Sequence, residues 1–135
     1  MRILKDLLRE DDSIEVAYLF GSVARGRSGP LSDIDVAVFL KDSLGRRERH
    51  EKRLSLVNEI SSALKTDEIN VVIMNDSPLL LNFNIIRDGK VLKSKEESRR
   101  VLLETRIMSS YLDRKFYDDM HVREGMKRIA EKGIL

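Results

Sequence analysis

Hydrophobic positions along this chain switch between two periods, and the switches mark its elements. Ile3, Leu4, Leu7 and Leu8 recur at helical spacing within residues 2–11, which predicts a short helix. "EVAYLFG" (15–21) is a short apolar run closed by glycine and predicts a strand. "SDIDVAVFL" (32–40) alternates with period two. Ile34, Val36, Val38 and Leu40 fall on one face, and Asp33, Asp35, Ala37 and Phe39 on the other. The period then lengthens. Residues 45–66 predict a long helix with Leu54, Val57, Ile60 and Leu64 as its apolar stripe, flanked by Leu56 and Ala63. "EINVVIMN" (68–75) predicts a third strand. Residues 77–89 predict a helix with Ser77 as N-cap, Pro78 at its first position and Gly89 at its end. "KVLKS" (90–94) is a short closing strand. A long helix runs from Lys95 to about Asp118, with Val101, Thr105, Met108, Leu112 and Phe116 stacked on one side. The charged tail (119–135) reads as helical too.

This order predicts an α/β (α+β) fold, a small mixed sheet flanked by helices, with the helices on one side. The 135 residues suit a single domain, 1–135, with a core of about 14–94 and a C-terminal helical segment of about 95–135. Apolar residues make up 41% of the chain and aromatics only 5%, so Leu, Ile and Val must fill the core. Charged residues reach 36% with a net charge of +2, too small to imply nucleic-acid binding by itself. Cysteine is absent, which excludes disulfides and thiolate metal sites. No apolar run approaches the roughly 20 residues that span a bilayer. The opening "MRILKDLLRED" is too charged for a signal peptide, so a soluble cytoplasmic protein with no membrane contact is expected.

The candidate chemistry lies in "FGSVARGRSGPLSDIDV" (20–36). Carboxylates two apart on a strand point the same way, with origins roughly 6.5–7 Å apart. Without a cation they repel each other, whereas Mg²⁺ takes one or two carboxylates plus substrate phosphates. Asp33 and Asp35 are therefore candidate metal ligands. Gly21 lets a backbone approach a phosphate closely, and Ser22 adds a hydroxyl. If the strands at 15–21 and 32–40 are neighbours, this corner lies beside the aspartates. Arg25 and Arg27 divide evenly between a solvated loop and phosphate contact. Gly26 and Gly29-Pro30 are turn residues. "RRERHEKR" (46–53) reads as the wet face of its helix rather than a binding patch. His50 and His121 are isolated surface residues. Met108, Tyr111, Leu112 and Phe116 read as core or partner-facing packing.

"GS", ten residues and "DID" resemble the minimal nucleotidyltransferases of the DNA polymerase beta superfamily, and "EINVVIMNDSPLLLNFNIIRDGKVL" looks like that family's third strand, next helix and closing strand. The resemblance covers about 100 of the 135 residues. It implies a nucleotidyltransferase fold and Mg²⁺-dependent transfer of AMP from ATP, with catalysis by positioning and charge neutralisation. Asp33 and Asp35 would be the catalytic and metal-binding residues, and Gly21, Ser22 and Arg25 would bind nucleotide. It also implies an antitoxin that adenylylates a HEPN-type RNase toxin, the acceptor bringing its own surface. A homo-oligomer is also open, and direct nucleic-acid binding is not expected.

One position departs from the family pattern. Where a third carboxylate opens the third strand, this chain has Asn70, which cannot act as a general base. Three readings stay open: a weakened two-carboxylate enzyme, an enzyme in which Glu68 substitutes, and a catalytically impaired antitoxin that acts by binding alone. A small-molecule, aminoglycoside-type nucleotidyltransferase is a further alternative.

Overall fold

The computed structural model describes residues 2–21 and 33–131. In chain order it contains α1 (Arg2–Arg9), β1 (Ile14–Phe20), β2 (Ile34–Leu40), α2 (Arg46–Leu64), β3 (Ile69–Ile73), α3 (Leu79–Asp88), β4 (Lys90–Ser94) and α4 (Glu97–Glu131). A single 3₁₀ turn at Met74–Asp76 links β3 to α3. The strands form one mixed sheet in the order β3-β2-β1-β4. β1 pairs antiparallel with β2 and β4, and β2 pairs parallel with β3. α2 makes the crossover that a parallel pair requires.

The alternation read in β2 is the alternation that packs. Val36, Val38 and Leu40 join Leu4 and Leu8 of α1 and Leu56 and Ile60 of α2 in one core. Ala37 and Phe39 face the other way, with Val16 and Tyr18 of β1, Ile85 of α3 and Ile107 of α4. The sheet is thus covered on both faces, not on one side as the element order suggested. Both faces of its central strands are apolar, and each needs a layer. The α2 stripe is also rotated. Leu56 and Ile60 are fully buried and Val57 and Leu64 pack beside them, while Leu54 is 48% exposed.

Ser77 does not cap α3. Its hydroxyl donates back to the Ile73 carbonyl at 2.8 Å, and Pro78 takes the cap position without a side-chain hydrogen bond. Asn75 closes the C-terminal end of β2 as a strand would. Its Oδ1 accepts from the Leu40 N–H and its Nδ2 donates to the Leu40 carbonyl, both at 2.9 Å.

α4 is one helix of 35 residues, about 52 Å long at 1.5 Å per residue. It is fixed to the sheet near its start. The Tyr18 hydroxyl donates to Glu104 at 2.8 Å, Arg100 pairs with Glu97 and Glu104, and Phe83 stacks on Tyr111 with ring centres 3.8 Å apart. The side that packs carries Leu103 and Ile107. The predicted stripe of Val101, Met108, Leu112 and Phe116 lies on the opposite side, with Phe116 62% exposed. The helix therefore has two apolar sides, and the described residues cover one of them.

Asp11 ties the α1–β1 corner to α2. It accepts from the Ser13 hydroxyl at 2.6 Å, the Ser13 N–H at 3.0 Å and Lys52 Nζ at 3.1 Å. Burial pushes its carboxyl up, but these bonds outweigh it and hold the group below its ordinary value of 3.8. The stability this adds is present above the unfolded-state value and is lost as pH falls through the lower folded value. Asp11→Asn should cost about 1–2 kcal/mol at pH 7. In urea unfolding, the gap between variant and wild type should narrow as the pH drops below 3.8.

Candidate active site

Three neighbouring strands bring the predicted residues into one row. Phe20 at the end of β1 faces Asp35 on β2, and Asp35 faces Asn70 on β3. Residues paired across a sheet share a face. The Gly21 corner, Asp35 and Asn70 therefore lie side by side on the face that carries α3 and α4. Asp33 stands two positions before Asp35, exposed at the mouth of β2. The sequence-level condition that the two strands be adjacent is met, and they are antiparallel.

Gly21 does more than open a path for phosphate. Its φ is +77°, and a Cβ at this position would lie 2.1 Å from Asp35 Oδ2. The missing side chain makes room for the carboxylate itself. On the other side, Asn70 Nδ2 donates to Asp35 Oδ1 at 3.2 Å. Asp35 is thus gripped between a glycine and an amide and is half-buried. A carboxylate at position 70 would repel Asp35 at this distance unless a cation lay between them, whereas the amide satisfies it directly.

Glu68 just precedes β3, and its backbone carbonyl accepts from the Ile34 N–H at 2.9 Å. Extending the β2–β3 register by one residue sets it opposite Asp33, with its side chain exposed. Ser22 and Arg25, the other two nucleotide-binding candidates, lie outside the described residues, as do Gly26, Arg27, Gly29 and Pro30.

Among the described residues, no group of three or more His, Cys, Asp or Glu side chains could hold a metal on its own. The donors present fit Mg²⁺ in another way. This ion takes oxygen ligands, and it is commonly held by one or two carboxylates completed by substrate phosphates. Asp33 and Asp35 could supply that share.

Sequence reasoning missed the surface beside this row. Arg53 of α2 donates its Nε to the Val71 carbonyl at 2.9 Å on the open edge of β3. Arg46, His50 and Arg53 line a cavity of about 400 Å³ that runs along that edge from Asn70 to Leu81. The signal was present as the basic run 46–53, but only the crossover geometry turns its residues toward β3.

Comparison with known proteins agrees with this fold. The family model described as "Polymerase beta, Nucleotidyltransferase" matches residues 3–98. The protein adenylyltransferase MntA of Shewanella oneidensis is 32% identical over 91 residues, which are 67% of this chain and 62% of MntA. The matched stretch therefore spans less than two thirds of that relative. A chain in a crystal structure of a toxin-antitoxin with AMP-PNP superposes with a TM-score of 0.73 at 25% identity, covering 93% of this chain and 97% of the other. A chain in the complex of the tri-AMPylated Shewanella oneidensis HEPN toxin with its MNT antitoxin gives a TM-score of 0.65 at 22% identity, covering 93% and 98%. That likeness concerns the fold. No helix among the described residues is long and apolar enough to cross a membrane.

Proposed function

The chain belongs to the polymerase beta nucleotidyltransferase family, and from that premise we propose that it is an antitoxin that transfers AMP from ATP to a HEPN-type toxin in the cytoplasm. The observation that carries this reading is the row Gly21–Asp35–Asn70 with Asp33 beside it. On one side of Asp35 stands a residue without a side chain, at the corner where a triphosphate would bind. On the other side lies the amide position that an attacking hydroxyl would pass. A nucleotidyl transfer needs this arrangement, because the attacking and leaving oxygens stand roughly in line across the phosphorus.

Asp33 and Asp35 would hold a magnesium ion, which supplies charge neutralisation to the triphosphate when bound. Ser22 and Arg25 belong to the same proposal as contacts to the phosphates. Asn70 orients Asp35 through its N–H and takes no proton, so the acceptor hydroxyl loses its proton to water. A protein acceptor suits the second apolar side of α4, where Met108, Leu112 and Phe116 are exposed. A contiguous apolar surface of this kind fits a protein partner better than a small hydroxylated one. The MntA match and the AMP-PNP complex support the choice of ATP and of a toxin. Repeated addition to one acceptor, as on the tri-AMPylated toxin of the structural relative, is part of the proposal.

The test is transfer of labelled AMP from ATP to a HEPN-type toxin in the presence of Mg²⁺. Transfer that requires both Asp33 and Asp35 supports the reading, and no transfer at all sinks it. The second reading, neutralisation by binding alone, is favoured by one observation: the third-carboxylate position carries an amide already satisfied by Asp35. Asn70→Asp separates the two. A weakened enzyme should gain about 10²-fold in transfer rate, the low end of what a positioned base contributes. A pure binder should neutralise toxin equally well with either residue and with Asp35→Asn.

A further inference from the structure

The uncovered side of α4 does not end at Phe116. From Thr105 a spacing of alternately three and four residues leads to Met108 and Leu112, and the same spacing leads on to Val122, Met126 and Ile129. Between the two apolar groups it passes through Lys115 and Asp119. All these side chains are exposed. A repeat of three and four is the seam of a helix that pairs with another helix. Beyond Tyr111, whose ring stacks on Phe83, no residue of α4 is buried. A helix of that length is marginal in water without a packed face, and Gly125 weakens it further. The two charges in the seam have no ion-pair partner among the described residues. Against an apolar partner both are costly, so the seam calls for a partner with opposite charges at matching places.

We propose that this seam is covered by the same seam of a second copy of the chain, running antiparallel. One register sets Lys115 against the partner's Asp119. The same register sets Leu112 against the partner's Val122 and Met108 against the partner's Met126, and two-fold symmetry makes each contact twice. The overlap from Thr105 to Ile129 is about 36 Å long. A shift by one heptad in either direction sets Lys115 against a leucine or a methionine, and Asp119 against a methionine or a valine, so both charges lose their partners. Parallel pairing in register sets lysine against lysine and aspartate against aspartate. The charged pair thus selects both direction and register, as a polar seam position does in a coiled coil. Leu103 and Ile107, which pack on the sheet, face away from the seam. Along the pair, the two copies of Ile107 stand about 30 Å apart, so the two sheets do not compete for space. The inference does not rest on the function proposed above. An acceptor that uses this side of α4, as proposed there, displaces the second copy.

Sedimentation equilibrium of the full chain alone tests this, over concentrations up to about 0.1 mM, where even a modest association is populated. The average mass should rise from 15.6 kDa toward twice that value. Lys115→Asp and Asp119→Lys each set like charges against each other at both places, and each should weaken association by at least about 10²-fold. Mixed in equal amounts, the two single variants carry opposite charges at every facing place and should associate about as tightly as the wild type. The double variant Lys115→Asp/Asp119→Lys, which exchanges the pair, should do so by itself. Recovery on mixing shows that the single variants lost their interface and not their fold. Single variants that associate like the wild type, or a mixture no tighter than either variant alone, would overturn the inference. So would a chain that stays at 15.6 kDa by itself and uses the seam only for a HEPN-type toxin.

Discussion

Asp35→Asn is expected to lower AMP transfer by about 10³-fold and to leave the fold intact. Asparagine matches aspartate in shape, and its Oδ1 can still accept from Asn70 Nδ2, the bond that spans 3.2 Å in the native site. Packing against Gly21 is kept as well, so the backbone rows of β1, β2 and β3 have no reason to move. What disappears is one of the two carboxylates proposed to face the triphosphate. Removing a single preorganised electrostatic group costs about 10²–10³ in rate, and a carboxylate that shares a cation belongs at the upper end. Initial rates of labelled transfer, with a thermal melt as the control for folding, check this. An unchanged melt with lost transfer is the expected pair. Retained transfer would remove Asp35 from the chemistry.

Gly21→Ala damages the same group from the other side, by two routes. A φ of +77° is unfavourable for a residue with a side chain, by roughly 1–2 kcal/mol. The new methyl would also start 2.1 Å from Asp35 Oδ2, far inside contact distance, so the carboxylate must turn away or the β1–β2 corner must open. Displacing a reacting group by about 1 Å can cost about 10²-fold. We expect about 10²-fold slower transfer together with a lower unfolding midpoint. Slowed transfer without a change in midpoint would mean that the carboxylate, and not the backbone, gives way. Wild-type rate and wild-type midpoint together would contradict the packing described for Gly21.

Much of the site was legible because a strand has only two faces. Once Asp33 and Asp35 are read on one side of an alternating run, Val36, Val38 and Leu40 share the other side and must enter a core, and they do. Asn70 was legible as the residue beside the pair, and the parallel register with β2 sets it directly against Asp35. The reason for Gly21 was less accessible. Sequence suggests room for a phosphate, but the close approach to Asp35 depends on a backbone angle that no residue pattern reports.

Helices were harder, because an apolar stripe states that something is covered without saying by what. On α2 two overlapping stripes compete. The sheet selects the one through Leu56 and leaves Leu54 outside. On α4 the more regular stripe, Val101 to Phe116, is the one that the described residues leave uncovered. The hydrogen bond from Tyr18 to Glu104 and the stack of Phe83 on Tyr111 decide the rotation. Those contacts join residues 86 and 28 positions apart, which no local window contains. Arg53 was hidden for a similar reason. Its place in a charged run looks solvated until the crossover brings it to the Val71 carbonyl.

The central claim is that this chain adds AMP to a protein through Asp33 and Asp35, and intact-mass measurement tests it most directly. A HEPN-type toxin is co-produced with the wild-type chain or with Asp35→Asn, purified, and weighed. Toxin heavier by whole AMP units is expected with the wild type, and toxin of unmodified mass with the variant. Unmodified toxin that is nevertheless neutralised by the wild-type chain, or AMP adducts that persist with Asp35→Asn, would contradict it.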